Sequence, residues 1–400
     1  MRKVAIVGIG TLPWRSRYAD KSFRALGLEA TKKAIEHARI TKKEIDNVVY
    51  SIYCETMLRQ QIPEPLIQDY LGLEGTSSLR VAAGAASDGF ALSAAFAQVA
   101  SGVSDITLYL AVQKGQDFYA FDTRSRGDGI LRGFSISMDT TWLQPVTPGV
   151  PPFLTLYCLI PHIARYGGPT PEQLAKVSVK NYRNAFSNPE AQLHETITVE
   201  DVLNSRIIAW PTTARMCCLY SDGACAMILA SEEKAREITD KPVWISGIAT
   251  SNYPLYRATS ETITGRLTGT GVAAKKAYAM AGIKKPADEL DMVQVQDLIV
   301  GTEILAYEEL GLCALGEGGR LIDDGVVERD GRIPANTDGG RIACGHVGGV
   351  SGAYAACEVV RQLREEAGPR QIRIRNGRGV MQCIEGNAAL HAVAVFERGE

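Results

Sequence analysis

Four short stretches carry the side chains best suited to chemistry. In "NTDGGRIACGHVGGVSG", His346 stands among glycines just ahead of a helical pattern. Glycines let backbone and ligand approach closely, and a histidine held there can polarise a carbonyl or accept a thiol proton. In "QCIEGN", Cys383 closes a strand-like run and the carboxylate of Glu385 follows two residues later. In "VQVQDLIV", Gln296 and Asp297 set an amide beside a carboxylate. In "RVAAGAASDGFALSAAF", small residues lead into a helix and leave Ser87 and Asp88 as the polar side chains of the turn. Each also has a structural use. A loop histidine can hold backbone, a small buried cysteine packs like an apolar residue, and an aspartate at a helix start interacts with the helix dipole.

These stretches need elements to position them. Apolar runs and helical periods alternate in the first part of the chain: strands at 3–7, 48–53, 80–83 and 106–112, and helices at 23–38 and 87–100. From 115 to 220 the chain is richer in Gly, Pro, aromatic and charged residues, with a helix at 171–186, and it returns to core strand character at 221–231. The first pattern is then replayed: strand 243–248, helix 272–281, strand 292–295, helices 302–310 and 353–366, and closing strands near 379–383 and 388–396. Cys344 falls in a strand on this reading. Each half has a small-residue turn feeding a buried helix, "GAASDG" in one and "GHVGGVSG" in the other. The pattern predicts a layered α/β protein with two related halves facing each other across a pseudo-dyad. The first half comprises 1–114 and 221–241, the insertion 115–220, and the second half 242–400. Insertions of this kind tend to wall a ligand site. The aromatics of "QDFYAFD", with Phe134, Trp142, Phe153, Tyr157 and Tyr166, would suit a bulky or aromatic group there, or would build the insertion's own core.

The bulk numbers narrow the function classes. In 400 residues, 46% are hydrophobic and 22% charged, and the formal net charge is −2. With no Lys/Arg block, nucleic acid and anionic membrane are poor partners. No run reaches the ~20 apolar residues of a membrane span, and "VAIVGIG" leads straight into a turn rather than a cleavage site; the expectation is a soluble, cytoplasmic protein. Nine irregularly spaced cysteines without C-x-x-C argue against a disulfide framework and a structural zinc site, so no metal is expected in this chain. "GIGTLP" is not a dinucleotide fingerprint, because the third glycine position holds Pro13.

The ordered set Asn336, Gly339, Gly340, Gly345, His346, Gly349, Ser351, Gly352, Gln362 and Leu363 resembles the C-terminal half of the thiolase superfamily, which carries N-x-x-G-G, G-H-P-x-G and a helix ending in Q-L. Val347 replaces the usual proline. "SDGACAMILAS" is similar to the strand closing the family's first half, and "GTGVAAKKAYAMAGI" with "LDMVQVQDLIVGTEILAYEELGLCALGEGG" resembles its sterol-carrier-protein branch, where H-D-C-F usually stands in place of residues 296–299. The resemblance implies the thiolase-like fold: two βαβαβαββ halves in α/β/α/β/α layers with a loop-domain insertion. It also implies thiolytic cleavage or Claisen condensation of a 3-oxoacyl-CoA, with coenzyme A as substrate or product and no covalently bound cofactor. On it, His346 is the oxyanion-stabilising histidine, Cys383 the acid/base cysteine and Gln296 the holder of a water. Gly349, Glu385, Ser87 and Asp297 are the expected substrate-binding residues. A homodimer or higher oligomer is expected. The Gln-Asp pair is similar to two-component members such as benzoylsuccinyl-CoA thiolase, which implies a small zinc-ribbon/OB-fold partner subunit.

The nucleophile departs from the family pattern. Relatives read C-A-S-G-G-x-A-L at the first turn, and alignment on Ala91 and Leu92 puts Ala85 at the cysteine. Asp88 and Glu385 both stand where glycine is expected. Three readings follow: an engineered trap variant of a thiolase in which Ala85 prevents acyl-enzyme formation, natural chemistry recast around Cys383 and His346 without an acyl-enzyme, or a non-catalytic CoA-binding subunit.

Overall fold

The computed structural model describes residues 1–115, 149–253 and 263–399. Its first half runs β1 (Val4–Thr11), α1 (Phe23–Ala38), β2 (Asn47–Ser51), α2 (Pro63–Leu71), β3 (Ser77–Val81), α3 (Ser87–Ala100), β4 (Ile106–Gln113) and, after the insertion, β5 (Gly223–Ser231). In the insertion α4 (Pro171–Phe186) is the long helix. The second half runs β6 (Val243–Asn252), α5 (Thr268–Ala281), β7 (Met292–Gln294), α6 (Val300–Glu309), α7 (Ser351–Leu363), β8 (Arg378–Ile384) and β9 (Leu390–Arg398).

Strand order among the described residues is β3-β2-β4-β5-β1-β6-β9-β8-β7. The halves meet at an antiparallel seam of two residue pairs, Ala5 with Trp244 and Ile6 with Val243. Outward from the seam the two halves repeat one order. The strand that would match β3 in the second half is reduced to a parallel bridge between Val293 and Ala335. This is the pseudo-dyad expected from the paired turns.

Helix α3 packs on β3 and also on β8 and β9 of the other half, while α7 packs on β7 and β8 and on β1 and β5. In a flat sheet β3 and β8 would lie roughly 34 Å apart at ~4.8 Å per strand, beyond the reach of one helix. The sheet therefore folds over at the seam and encloses α3 and α7 between its halves. With α1 and α2 outside the first half and α5 outside the second, the layers are α/β/α/β/α. The glycines of "GIG" serve this packing: a Cβ on Gly8 would lie 2.4 Å from the Ala34 carbonyl and one on Gly10 2.1 Å from that of Ala30. They let α1 lie directly on β1.

The insertion's α4 begins at a capping box, Thr170 Oγ1 accepting from Gln173 N–H at 3.2 Å with Pro171 in the first turn. Phe153 is fully buried and stacks on Tyr157 at 4.7 Å, and Tyr166 lies 4.8 Å from the buried His162 ring. Phe153 lies in the core shared with both halves and Tyr157 packs against it, while Tyr166 packs on Gly316 of the second half. "QDFYAFD", Phe134 and Trp142 lie outside the described residues. Cys344 is buried as expected, but in a wide helical turn, Gly340–Cys344, not a strand. Left-handed Gly339 and Gly340 and an aspartate bound to the turn's amides curl the chain there. No described helix is long and apolar enough to cross a membrane.

Candidate active site

The two small-residue turns meet. Ahead of α3, Gly84 is left-handed (φ 55°). The Ser87 hydroxyl donates to its carbonyl at 2.6 Å and accepts from Ala83 N–H at 2.8 Å. Ser87 thus closes the turn on itself. Ahead of α7, Gly349 (φ 77°) donates its N–H to the Ala85 carbonyl at 3.0 Å and accepts from Ser51 Oγ at 2.6 Å. A Cβ on Gly348 would come 3.1 Å from Ala85, and one on Gly349 2.9 Å from Tyr53 Cβ. Only glycine lets the turns come this close. That contact joins the turn of Ala85 to the turn that carries His346.

His346 is held on three sides. Its N–H donates to Ser221 Oγ at 3.1 Å, its carbonyl accepts from Ser221 N–H at 2.8 Å, and Nδ1 lies 2.8 Å from Ser351 Oγ. That hydroxyl is 2.9 Å from the Val347 carbonyl, so it donates either there or to Nδ1 and leaves Nε2 as acceptor or donor accordingly. Burial, with the nearby Arg341 guanidinium, lowers the histidine to about 3. His346 is therefore a neutral imidazole that can polarise a carbonyl without adding charge. Ser221 and Ser351 belong to recognisable motifs, but their hold on this ring is visible only in the fold.

Cys383 is the penultimate residue of β8, between the two central helices. A Cβ on Gly89 would come 2.5 Å from its sulfur, and one on Gly352 2.9 Å from its Cβ. Asp88 is fully buried beside it and accepts Gly89 N–H at 2.8 Å and Gly352 N–H at 2.6 Å. One carboxylate thus joins the N-termini of α3 and α7, where amides lack helical partners. Burial raises Asp88 against the pull of those amides, of the Cys383 thiol and of Arg341. The same burial and the charge of Asp88, to which the thiol is hydrogen-bonded, push Cys383 well above the ordinary thiol range.

Glu385 opens the β8–β9 hairpin loop, its N–H donating to the Leu390 carbonyl at 2.9 Å. Its side chain lies over the first turn: a Cβ on Gly84 would come 2.5 Å from Glu385 Cγ. Oε2 accepts Asn387 N–H at 2.9 Å. The residue is 4% exposed, and burial raises it to about 7 against the amides of Asn387, Ala389 and Gly386. Gln296 braces the same loop, Oε1 accepting Ile384 N–H at 3.0 Å, while its buried Nε2 has no partner among the described residues. An amide donor left so is fit to hold a water or a substrate oxygen.

Asp297 lies away from this cluster. Its oxygens accept Asn181 Nδ2 at 2.9 Å and Arg341 N–H at 2.6 Å. It belongs to a buried network in which Lys180 pairs with Glu303 at 2.9 Å and Asn181 and Asn336 donate to Glu303 at 2.6 and 2.9 Å. Burial and the charge of Glu303 raise Asp297 to about 8. Its carboxylate holds α4 of the insertion and the turn leading to His346, instead of facing a substrate as expected. Sequence reasoning missed Lys180, Asn181 and Glu303, which lack a local signature. No His/Cys/Asp/Glu cluster fit for a metal occurs among the described residues.

Comparison with known proteins decides the family. The chain is 37% identical over its full length, and the full length of the relative, to an acetyl-CoA acetyltransferase of Methanothermobacter thermautotrophicus. The chain belongs to the thiolase family. Residues 252–398 match the family described as Thiolase C-terminal domain-like. A further thiolase, the benzoylsuccinyl-CoA thiolase subunit BbsB of Thauera aromatica, is 29% identical over 93% of this chain and 91% of its own. Among solved structures, one titled "Ltp2-ChsH2(DUF35) aldolase" has the same fold with a TM-score of 0.78, 24% identity, and 99% and 97% of the two chains covered.

Proposed function

We propose that this thiolase acts on CoA thioesters, making or breaking the bond between Cα and Cβ of a 3-oxoacyl-CoA. The contact that carries the reading is Gly349 N–H on the Ala85 carbonyl, which joins the turn of Ala85 to that of His346 and, through Gly84, to Glu385. His346 polarises the thioester carbonyl as an enolate forms, with the free amide of Gln296 as a second donor; one such preorganised donor is worth about 10²–10³-fold in rate. Gly349 shapes the floor. Ser87 and Asp297 act as positioning residues, because their polar atoms are already occupied. End-to-end likeness to an acetyl-CoA acetyltransferase supports acyl transfer.

Ala85 favours a second form of this reading, in which no acyl-enzyme forms at residue 85 and the enolate is released directly. A 3-hydroxyacyl-CoA can be cleaved in this way with no nucleophile at all, and a 3-oxoacyl-CoA with water. The solved relative titled an aldolase is in keeping with this form. The DUF35 component of that solved relative and the subunit naming of BbsB support a partner subunit; we propose that it is a zinc-ribbon/OB-fold protein and that this chain forms a homodimeric core in the cytoplasm.

The test offers 3-oxoacyl- and 3-hydroxyacyl-CoA, each with and without free CoA, and identifies products by mass. Cleavage between Cα and Cβ that falls at least about 100-fold in His346→Ala supports the reading. Cleavage unchanged in His346→Ala, or CoA binding without cleavage of any of them, overturns it.

A further inference from the structure

We infer that Glu385 is the catalytic acid–base of this site, carrying the proton that thiols carry elsewhere in the family. The inference rests on the proposed CoA-thioester chemistry and names the group that performs its proton transfers.

Place comes first. Glu385 lies over Gly84, one residue before Ala85, and the loop behind it is covered by Val150 of the insertion, whose Cγ2 would be 2.9 Å from a Cβ on Gly386. The carboxyl is almost wholly shielded from solvent. Its polar surroundings are backbone amides of its own loop, and no cation pairs with it among the described residues. A buried carboxyl without a cation keeps both forms accessible near neutral pH.

The rival groups are disqualified by their own contacts. Cys383 is buried and donates its thiol to Asp88, which disfavours the thiolate. Asp88 is fixed by the Gly89 and Gly352 amides and that thiol. His346, lowered to about 3, is a poor base. Of the titratable groups on the elements that meet here, α3, the turn before α7, and β8 with its following loop, Glu385 is the one raised to about 7.

The step balances with one proton. For a 3-hydroxyacyl-CoA, the Glu385 carboxylate takes the O3 proton. The O–H electron pair becomes the new C=O, the Cα–Cβ pair moves onto the thioester as an enolate, and the carboxylic acid returns the proton to Cα. For a 3-oxoacyl-CoA, the first proton comes from a water that adds to C3. Neither route needs a thiol or an oxidant.

The half-reaction can be read alone. With acetyl-CoA in D₂O, the protein should exchange α-protons for deuterium, followed by NMR, with a rate that rises with pH and levels off above about 7. Glu385→Gln should lose at least about 100-fold and Glu385→Asp should regain part of it, while both still bind acetyl-CoA by calorimetry. Three outcomes overturn the inference: binding without exchange in the unaltered protein, exchange unchanged in Glu385→Gln, or a rate still climbing through the thiol range above pH 9. Loss of acetyl-CoA binding by the unaltered protein would instead count against the CoA-thioester reading.

Discussion

Glu385→Gln should raise stability, and by an amount that grows with pH. The folded carboxyl titrates at about 7 against an ordinary 4.5, because burial disfavours the charged form. A raised pKa means that the acid's contribution is fully present below 4.5 and is lost as pH rises through 7. At 1.36 kcal/mol per pKa unit, burying Glu385 lowers folding stability by about 3 kcal/mol at pH 8 and by under about 1 kcal/mol at pH 5. Glutamine is the neutral isostere and can still accept Asn387 N–H, so it escapes that cost. Other shifted groups, such as Asp297 and His346, titrate alike in both proteins and cancel. Urea denaturation at pH 5 and pH 8 should show the gap between variant and parent widening in the variant's favour by about 2.5 kcal/mol. A gap that stays constant, or closes as pH rises, refutes the reasoning and means that Glu385 is charged and solvated in the folded state.

Two further substitutions probe what holds the site. Gly349→Ala places a Cβ at φ 77° and 2.9 Å from Tyr53 Cβ; it should cost about 1–3 kcal/mol in denaturation and lower kcat by displacing His346, with normal kcat counting against the contact between the turns. Lys180→Met leaves Glu303 buried without its cation and should cost about 3–5 kcal/mol, read as a lower urea midpoint at pH 7.

Much of the fold was legible because local chemistry marks it. Helix α1 starts after Ser22, whose hydroxyl accepts Ala25 N–H, and α4 starts at Thr170–Pro171; both lie where the sequence pattern puts them. Strand β6 runs to Asn252, past the expected 248, because pairing with β9 continues to its end although its last residues are only half-buried or exposed. Motif spacing singles out His346, Cys383 and Gln296 in the sequence. The role of Asp297 was not legible there, because its partner Asn181 lies 116 residues earlier. Glu385 and Asp88 stood out as carboxylates in place of glycine, but only their neighbours separate them: Asp88 meets two helix amides and a thiol, Glu385 only the amides of its own loop.

That separation bears on the alanine at residue 85. A cysteine nucleophile works as thiolate, favoured by a helix N-terminus and disfavoured by nearby negative charge. Here Glu385 lies over Gly84, and the Gly89 and Gly352 amides are bound to Asp88. A thiol introduced at 85 would meet the Glu385 carboxyl that lies over the neighbouring Gly84. Ala85→Cys alone should therefore acylate slowly with acetyl-CoA, and Ala85→Cys with Glu385→Gly faster by at least about tenfold, followed as the acyl adduct by intact mass. Equal rates would mean that Glu385 does not act on residue 85. A faster double variant would show that Glu385 opposes a thiolate at residue 85, so that alanine at 85 and a buried acid at 385 belong to one site chemistry.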